Sequence, residues 1–492
     1  MRNSADLIRR FTAFIATSVA ITLLYPSPAA AALPEGAIAA IDQIAGEDIA
    51  QNKAASYAVG VVKDGRIVLA RGYGFADLEN DVPASAETIY RLGSITKQFT
   101  ATAILLLAED GKLSVDDELT KFLPDYPTNG KKITIRHLLN HTSGIKDYTR
   151  LKEFQKLARQ DHTHEEMLAP FQNEPLDFEP GTKWGYSNGG YYLLGMIIEK
   201  ASGQKYETFL EERIFKPLNM SATRYGHRQQ LIPHRAAGYR YFFGQLTNDE
   251  AISMDPPFAA GALVSNIIDL IKWHQALEEG ALLSSKSYEE MYRPVELSNG
   301  TRRPYGFGWR VARFEGHNTI GHGGGINGFS TMISRYPDDR LAVIVLSNTS
   351  GADPGAVADR IASLILGSED GAGDNKSDDD PQESKPAAER PNADNAEADK
   401  PIADEPIDAA LIEQLTGKYR LMGEELEVTS QNGQLFARLK GRAPDRLKYQ
   451  ADRNFVHAGD SQIRITFRPQ EGKAEDFEVQ GVRFKMGAKR VD

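Results

Sequence analysis

An antiparallel β-sheet flanked by helices, followed by a small all-β barrel, is the α/β (α+β) architecture that three observations predict. Strand hairpins stand at both ends of residues 33–366, helical patterns fill the stretch between, and short strands recur at regular spacing after an acid-rich break. At 492 residues the chain exceeds one ordinary core, since a domain takes about 150 residues.

The first hairpin joins Tyr57–Val62 to Arg66–Gly72 through Asp64-Gly65, a pair suited to tight turns. Ala37–Ala50 precedes it as a helix, and Ser94–Glu109 follows as a longer one that Gly111 stops. The second hairpin pairs Gly328–Tyr336 with Leu341–Leu346 across Pro337-Asp338-Asp339, and Ala356–Leu366 reads as a closing helix. Residues 367–406 carry 13 acids against 4 bases and almost no large apolar residue, so they are predicted to form a disordered acidic linker. That segment accounts for most of the formal charge of −11, which leaves the rest near neutral and excludes the basic footprint of a nucleic-acid binder. Within it, Asp374–Asp380 lacks the glycine and the ligand spacing of a calcium loop. Beyond it, residues 407–492 hold a short helix (Ala409–Leu415) and the runs Lys418–Leu421, Glu425–Thr429, Gln434–Leu439, Phe455–His457, Ile463–Phe467 and Phe477–Phe484, with a hairpin signal at Asn432-Gly433.

Arg2, Arg9 and Arg10, the apolar stretch Phe11–Tyr25 and the small run Ala29–Ala32 have the order of a cleavable secretory leader over residues 1–32. The mature chain is then expected outside the cytoplasm, in the periplasm or secreted, with no stable membrane span. No cysteine is present, which excludes disulfides, thiolate catalysis and cysteine-ligated zinc.

Three short elements carry the chemistry. Ser-x-x-Lys occurs at Ser94-Lys97, Ser143-Lys146 and Ser202-Lys205, and only context separates them. Ser143 and Ser202 each precede a glycine in a turn or a helix end, whereas Ser94 opens a helix with an apolar interior (Ala101, Ile104, Leu105). Residues three apart share a helix face, so Lys97 can place its amine beside the Ser94 hydroxyl and, once burial lowers its pKa, act as the base. Tyr186-Ser187-Asn188 lies in a turn that can bring a phenol for proton relay and an amide for substrate. Gly321-His322-Gly323-Gly324-Gly325 allows substrate to lie against backbone N–H groups. His-x-Gly recurs at His457-Ala458-Gly459, beyond the linker. Elsewhere, His137 and His141 stand four apart, and His162 and His164 adjoin Glu165 and Glu166, but no His-Glu-x-x-His occurs. A Ser-His-Asp site lacks its Gly-x-Ser-x-Gly elbow at Ser94.

In this order the three elements resemble the serine β-lactamase and penicillin-binding family, in its class C-like branch of D-aminopeptidases, DD-carboxypeptidases and esterases. Arg91–Lys97 and Ile135–Ile145 also resemble that branch, and the likeness spans about Leu33 to Leu366. It implies a β-lactamase-like fold with an additional helical region, acylation of Ser94, and proton handling by Lys97 and Tyr186. It further implies an oxyanion hole from the N–H groups of Ser94 and Gly325, substrate held by Asn188, Gly323, Gly324 and Gly325, and His322 supporting Tyr186. No metal or cofactor is implied, and residues 407–492 resemble the lipocalin-like barrel of some relatives. The family's β-lactamases usually have lysine where His322 stands, and a neutral histidine suits the β-lactam carboxylate less well. Cleavage of D-amino-acid-containing peptides or of esters is therefore expected, the alternatives being a weak β-lactamase or a penicillin-binding or sensor module that acylates without turnover.

Overall fold

The computed structural model describes residues 33–151, 154–242, 245–367, 407–421, 424–439, 444–457, 460–468, 472–480 and 485–492. The predicted leader, the linker beyond Gly367 and the calcium-loop candidate Asp374–Asp380 lie outside the described residues. Among those described, no helix is long and apolar enough to cross a membrane.

Seven strands form one antiparallel sheet: β1 (Ser56–Lys63), β2 (Arg66–Asp77), β3 (Val82–Pro83), β4 (Arg310–Phe314), β5 (His317–Ile326), β6 (Phe329–Tyr336) and β7 (Leu341–Ser347). Their spatial order is β4-β5-β6-β7-β1-β2-β3, so both predicted hairpins join one sheet, with β1 and β7 side by side at its centre. Asp64 and Gly65 adopt φ of 52° and 74°, the left-handed pair that a two-residue hairpin turn demands. The predicted strands are present, most of them longer at one or both ends. The glycine motif lies inside β5, which begins at His317.

Helices cover both faces. On one side α1 (Ala37–Ala50) and α6 (Pro354–Leu366) pack Ile41, Val357 and Ile361 against Val59, Val343 and Val345. On the other, α5 (Ile267–Glu279) lies directly on β1, where a Cβ at Gly60 would come within 2.8 Å of Ile267. Beside it stands a helical region built on α2 (Thr96–Glu109), α3 (Asn188–Ser202) and the short α4 (Phe258–Gly261), joined with Ala58, Ile344 and Leu346 in the main core. Strand β7 reads as an unbroken apolar run because both of its faces are covered.

After α7 (Ala409–Leu415), eight strands close into a barrel: β8 (Gly417–Leu421), β9 (Glu424–Gln431), β10 (Gln434–Leu439), β11 (Asp445–Ala451), β12 (Asn454–His457), β13 (Asp460–Arg468), β14 (Asp476–Gln480) and β15 (Lys485–Arg490). Its interior is filled by Tyr419, Leu426, Phe455, Phe467 and Phe477, a hydrophobic core of its own. Asn432 and Gly433 take φ of 52° and 76° in the predicted turn. Two strands had no sequence signal. Asp445–Ala451 and Lys485–Arg490 contain no β-branched residue and are largely polar, so only single inward residues such as Leu447 and Ala488 betray them. Of the run expected over Phe477–Phe484, residues 477–480 lie in strand β14 and 481–484 lie outside the described residues.

Candidate active site

A tight turn places the candidate nucleophile. Gly93 has φ of 54°, and a side chain there would come within 2.9 Å of the Gly325 backbone nitrogen, so the turn and strand β5 press together. A single 3₁₀ turn, Gly93–Ile95, then leads into α2, so Ser94 stands in that turn rather than in the α-helix itself. Every residue from Thr96 to Leu107 is buried, which carries Lys97 into the interior. Ser94 is 5% exposed and Lys97 is 0% exposed.

The Lys97 nitrogen lies 3.1 Å from Ser94 Oγ, 2.8 Å from Asn188 Oδ1 and 2.9 Å from the Ala260 carbonyl. Two of these three partners can only accept, and the third is a hydroxyl that does either. A neutral amine has two N–H bonds and one lone pair. It therefore satisfies all three by donating to Asn188 and Ala260 while accepting the Ser94 proton. The geometry thus accommodates the unprotonated lysine that a general base requires.

Asn188 owes its orientation to a residue that sequence reasoning missed. Its Nδ2 donates to the buried Asp147 carboxylate at 3.2 Å, which turns Oδ1 toward Lys97. Asp147 is itself held by the Thr149 N–H and hydroxyl. Ser187 caps α3 by accepting the Gly190 N–H at 3.1 Å, and this cap sets where Tyr186 and Asn188 leave the loop. The Lys97 nitrogen sits 4.7 Å from the centre of the Tyr186 ring and 5.4 Å from that of Tyr191.

The glycine strand fits closely against the turn. A Cβ at Gly324 would stand 2.1 Å from the Leu92 carbonyl and 2.4 Å from Thr331 Oγ1. Thr331 donates to Leu92 O at 2.8 Å, with Gly324 O also near at 3.2 Å. His322 is 5% exposed, and its two nitrogens face Tyr305 (2.9 Å) and the Gly323 carbonyl (2.5 Å). Its ring centre is 6.3 Å from that of Tyr186, with the two ring planes tilted by 39°.

Ser94, Lys97, Tyr186, Asn188 and the His322–Gly325 strand thus converge from separate elements. The two other Ser-x-x-Lys pairs do not join them: Lys146 is paired with Asp177, and Ser202 ends α3 before Gly203 at φ 75°. The histidines weighed as metal ligands have separate partners. His137 caps its short helix at Thr134, and His141 faces Tyr305 and the Ser187 N–H. His162 faces Leu157 O, and His164 faces Tyr192 and Glu199. A cleft of about 1350 Å³ lined by Tyr192, Glu199, Tyr206 and Phe258 does not include Ser94, Lys97 or Tyr186.

Burial drives three histidines toward neutrality. His322 is lowered to about 3 by burial, then by Lys97; His274 is lowered to about 3 by burial and Arg335; His141 falls well below its ordinary value for the same first reason. In the unfolded chain all three take protons near 6.5. Their neutral burial is therefore fully compatible with folding above about pH 6.5 and destabilises progressively as pH falls toward 3, by up to about 1.4 kcal/mol per pH unit per histidine. The urea midpoint should drop steadily between about pH 7 and pH 4; an unchanged midpoint would show that these rings are not held neutral.

A family model described as "Beta-lactamase" matches residues 41–367. Penicillin-binding protein 4* of Bacillus subtilis is 36% identical over 299 residues, 58% of this chain and 66% of that protein, so the match spans just under two thirds of the relative's length. The D-amino acid amidase of Ochrobactrum anthropi SV3, solved with D-phenylalanine, is 27% identical with a TM-score of 0.60, covering 68% of this chain and 99% of that one. The octameric penicillin-binding protein homologue of Pyrococcus abyssi is 25% identical with a TM-score of 0.59, covering 92% of this chain and 99% of that one.

Proposed function

Since the chain belongs to the β-lactamase family, we propose that it is an exported serine hydrolase that forms an acyl-enzyme on Ser94 and cleaves amide or ester bonds, those of D-amino-acid derivatives foremost. One observation carries the reading: a fully buried lysine nitrogen 3.1 Å from a serine hydroxyl, with two fixed acceptors for its remaining hydrogens. Ser94 Oγ attacks the substrate carbonyl as Lys97 takes its proton, and the Ser94 and Gly325 N–H groups hold the oxyanion. Lys97 and Tyr186 pass the proton to the leaving amine or alcohol. Water then attacks the ester by the reverse route. The D-amino-acid preference is supported by the likeness to the amidase. A neutral His322 leaves that position without a fixed cation for a carboxylate, which favours amides and esters over β-lactams.

A panel of D-amino-acid amides, L-amino-acid amides, short-chain esters and a chromogenic β-lactam tests this by steady-state turnover. Turnover of D-amides or esters above the β-lactam is expected. A single stoichiometric acylation without turnover on any substrate would instead identify a sensor.

The leader is proposed to be removed near Ala31 or Ala32, leaving a hydrolase domain (33–366), an acidic tether (367–406) and the barrel domain (407–492). Limited proteolysis should cut first within the tether and release a folded barrel, because tether residues supply no core. First cuts inside residues 33–366 would overturn that division, and exported protein beginning at Met1 would overturn the leader.

A further inference from the structure

Three residues distant in sequence form one hydrogen-bonded line whose proton positions can be worked out from its ends. The Ser187 N–H can only donate, and it meets His141 Nδ1 at 3.2 Å, so that nitrogen accepts. A neutral imidazole has one N–H, which places the His141 proton on Nε2. Nε2 lies 3.2 Å from the Tyr305 oxygen and donates to it. The Tyr305 O–H then points the other way, to His322 Nε2 at 2.9 Å. His322 therefore carries its proton on Nδ1, which donates to the Gly323 carbonyl at 2.5 Å, an acceptor only. The line closes at both ends, with the Tyr191 hydroxyl, whose own O–H goes to the Leu139 carbonyl at 2.8 Å, as a further neighbour of Tyr305.

We propose that Tyr305 is a positioning residue that locks His322 as the neutral Nδ1–H tautomer, with His141 fixing the direction of the lock. The proposal rests on the hydrolase reading above for its effect on rate, not for its geometry. Two consequences follow for the site. The Gly323 peptide is held from its carbonyl, one unit before the Gly324–Gly325 peptide that supplies the proposed oxyanion N–H. His322 also has no free lone pair, so it does not compete with Lys97 as a base. The groups facing His322 are Lys97 from α2, Arg310 from β4, Tyr186 from the loop before α3, and Tyr305, with His141 behind it. Burial first, and the Arg310 guanidinium beside it, keep the ring neutral, and the Gly323 carbonyl and the Tyr305 hydroxyl together decide which nitrogen holds the proton.

Removing the hydroxyl in Tyr305→Phe leaves His322 Nε2 as an open acceptor beside the catalytic lysine. The variant should lower kcat about tenfold with KM nearly unchanged, the scale seen when a residue acts through its neighbour. A merely structural role predicts no change in protonation, so the deciding readout is spectroscopic. Long-range proton–nitrogen NMR of the histidine rings, with His322→Gln to assign the signal, should show His322 as Nδ1–H and His141 as Nε2–H in the intact protein at about pH 7. In Tyr305→Phe the His322 signal should become a mixture of tautomers, and the pH–rate profile should gain an acidic limb. Finding His322 as Nε2–H or protonated in the wild-type protein would overturn the lock even if the variant failed to fold. So would an unchanged His322 signal in a folded variant. The wild-type tautomers are read without turnover, so a failure of the substrate panel leaves this test standing.

Discussion

Ser94→Ala should abolish both covalent labelling and turnover while leaving the protein folded. Brief exposure of the wild-type protein to a serine-reactive phosphonate should add one adduct by intact mass, and peptide mapping should place it on Ser94. The expectation follows from burial and distance together. Ser94 is 5% exposed in a 3₁₀ turn, and the neighbour of its hydroxyl at 3.1 Å is a nitrogen able to receive its proton. No other Ser-x-x-Lys pair has this arrangement, since Lys146 is bound to Asp177 and Ser202 ends a helix. Loss of at least about a thousandfold in kcat/KM is expected, as for other enzymes deprived of their nucleophile. The fold should survive because Lys97 keeps Asn188 and Ala260 as acceptors. Ser143→Ala and Ser202→Ala should retain activity. An adduct on either of those serines, or turnover in Ser94→Ala near the wild-type rate, would refute the assignment.

Lys97→Met tests the other half of the pair. The thioether side chain approximates the length of the lysine stem, so the core of α2 stays filled, but the site loses its proton acceptor. Acylation should slow by about a hundredfold to ten-thousandfold, the usual range for a positioned proton-transfer group. Asn188 Oδ1 and Ala260 O would be left as buried acceptors without their donor. Each such loss costs about 1–3 kcal/mol, so the melting temperature should fall as well. The two effects can be separated by following single-turnover acylation well below the melting transition. Near-normal acylation there would show that another group takes the Ser94 proton. Tyr186→Phe should slow the same step, and comparison of an activated ester with an amide should show the larger loss on the poorer leaving group.

What the sequence disclosed, and what it withheld, follows from the range over which each signal acts. Asp64-Gly65 and Asn432-Gly433 were legible because the left-handed φ they require is a property of two adjacent residues. Ser94 could be told from Ser143 and Ser202 because it opens a helix whose interior residues Ala101, Ile104 and Leu105 are apolar, and that helix is buried from Thr96 to Leu107. By contrast, strands Asp445–Ala451 and Lys485–Arg490 present polar residues outward and owe their place to pairing partners. Asp147, Ala260 and Tyr305 also left no local trace. Asp147 matters through Asn188, the Ala260 carbonyl through Lys97, and Tyr305 through two histidines, one in a loop and one in strand β5. His141 was visible as half of a histidine pair four residues apart and as part of the family-like stretch Ile135–Ile145. Its φ of 62° and its bond to the Ser187 N–H give it a quite different place.

The pairing of β1 with β7 has a consequence for how the molecule is made. Val59 lies opposite Val345, so the middle of the sheet joins the beginning of the body to its end. A ribosome must deliver nearly the whole body before the central ladder can close, whereas β1 and β2 can meet at once. Until then one border of an apolar strand waits without its mate, exposed to capture by other chains. Such long-range closure is slow, and chains interrupted before Leu341 should accumulate as aggregates rather than as partly active fragments.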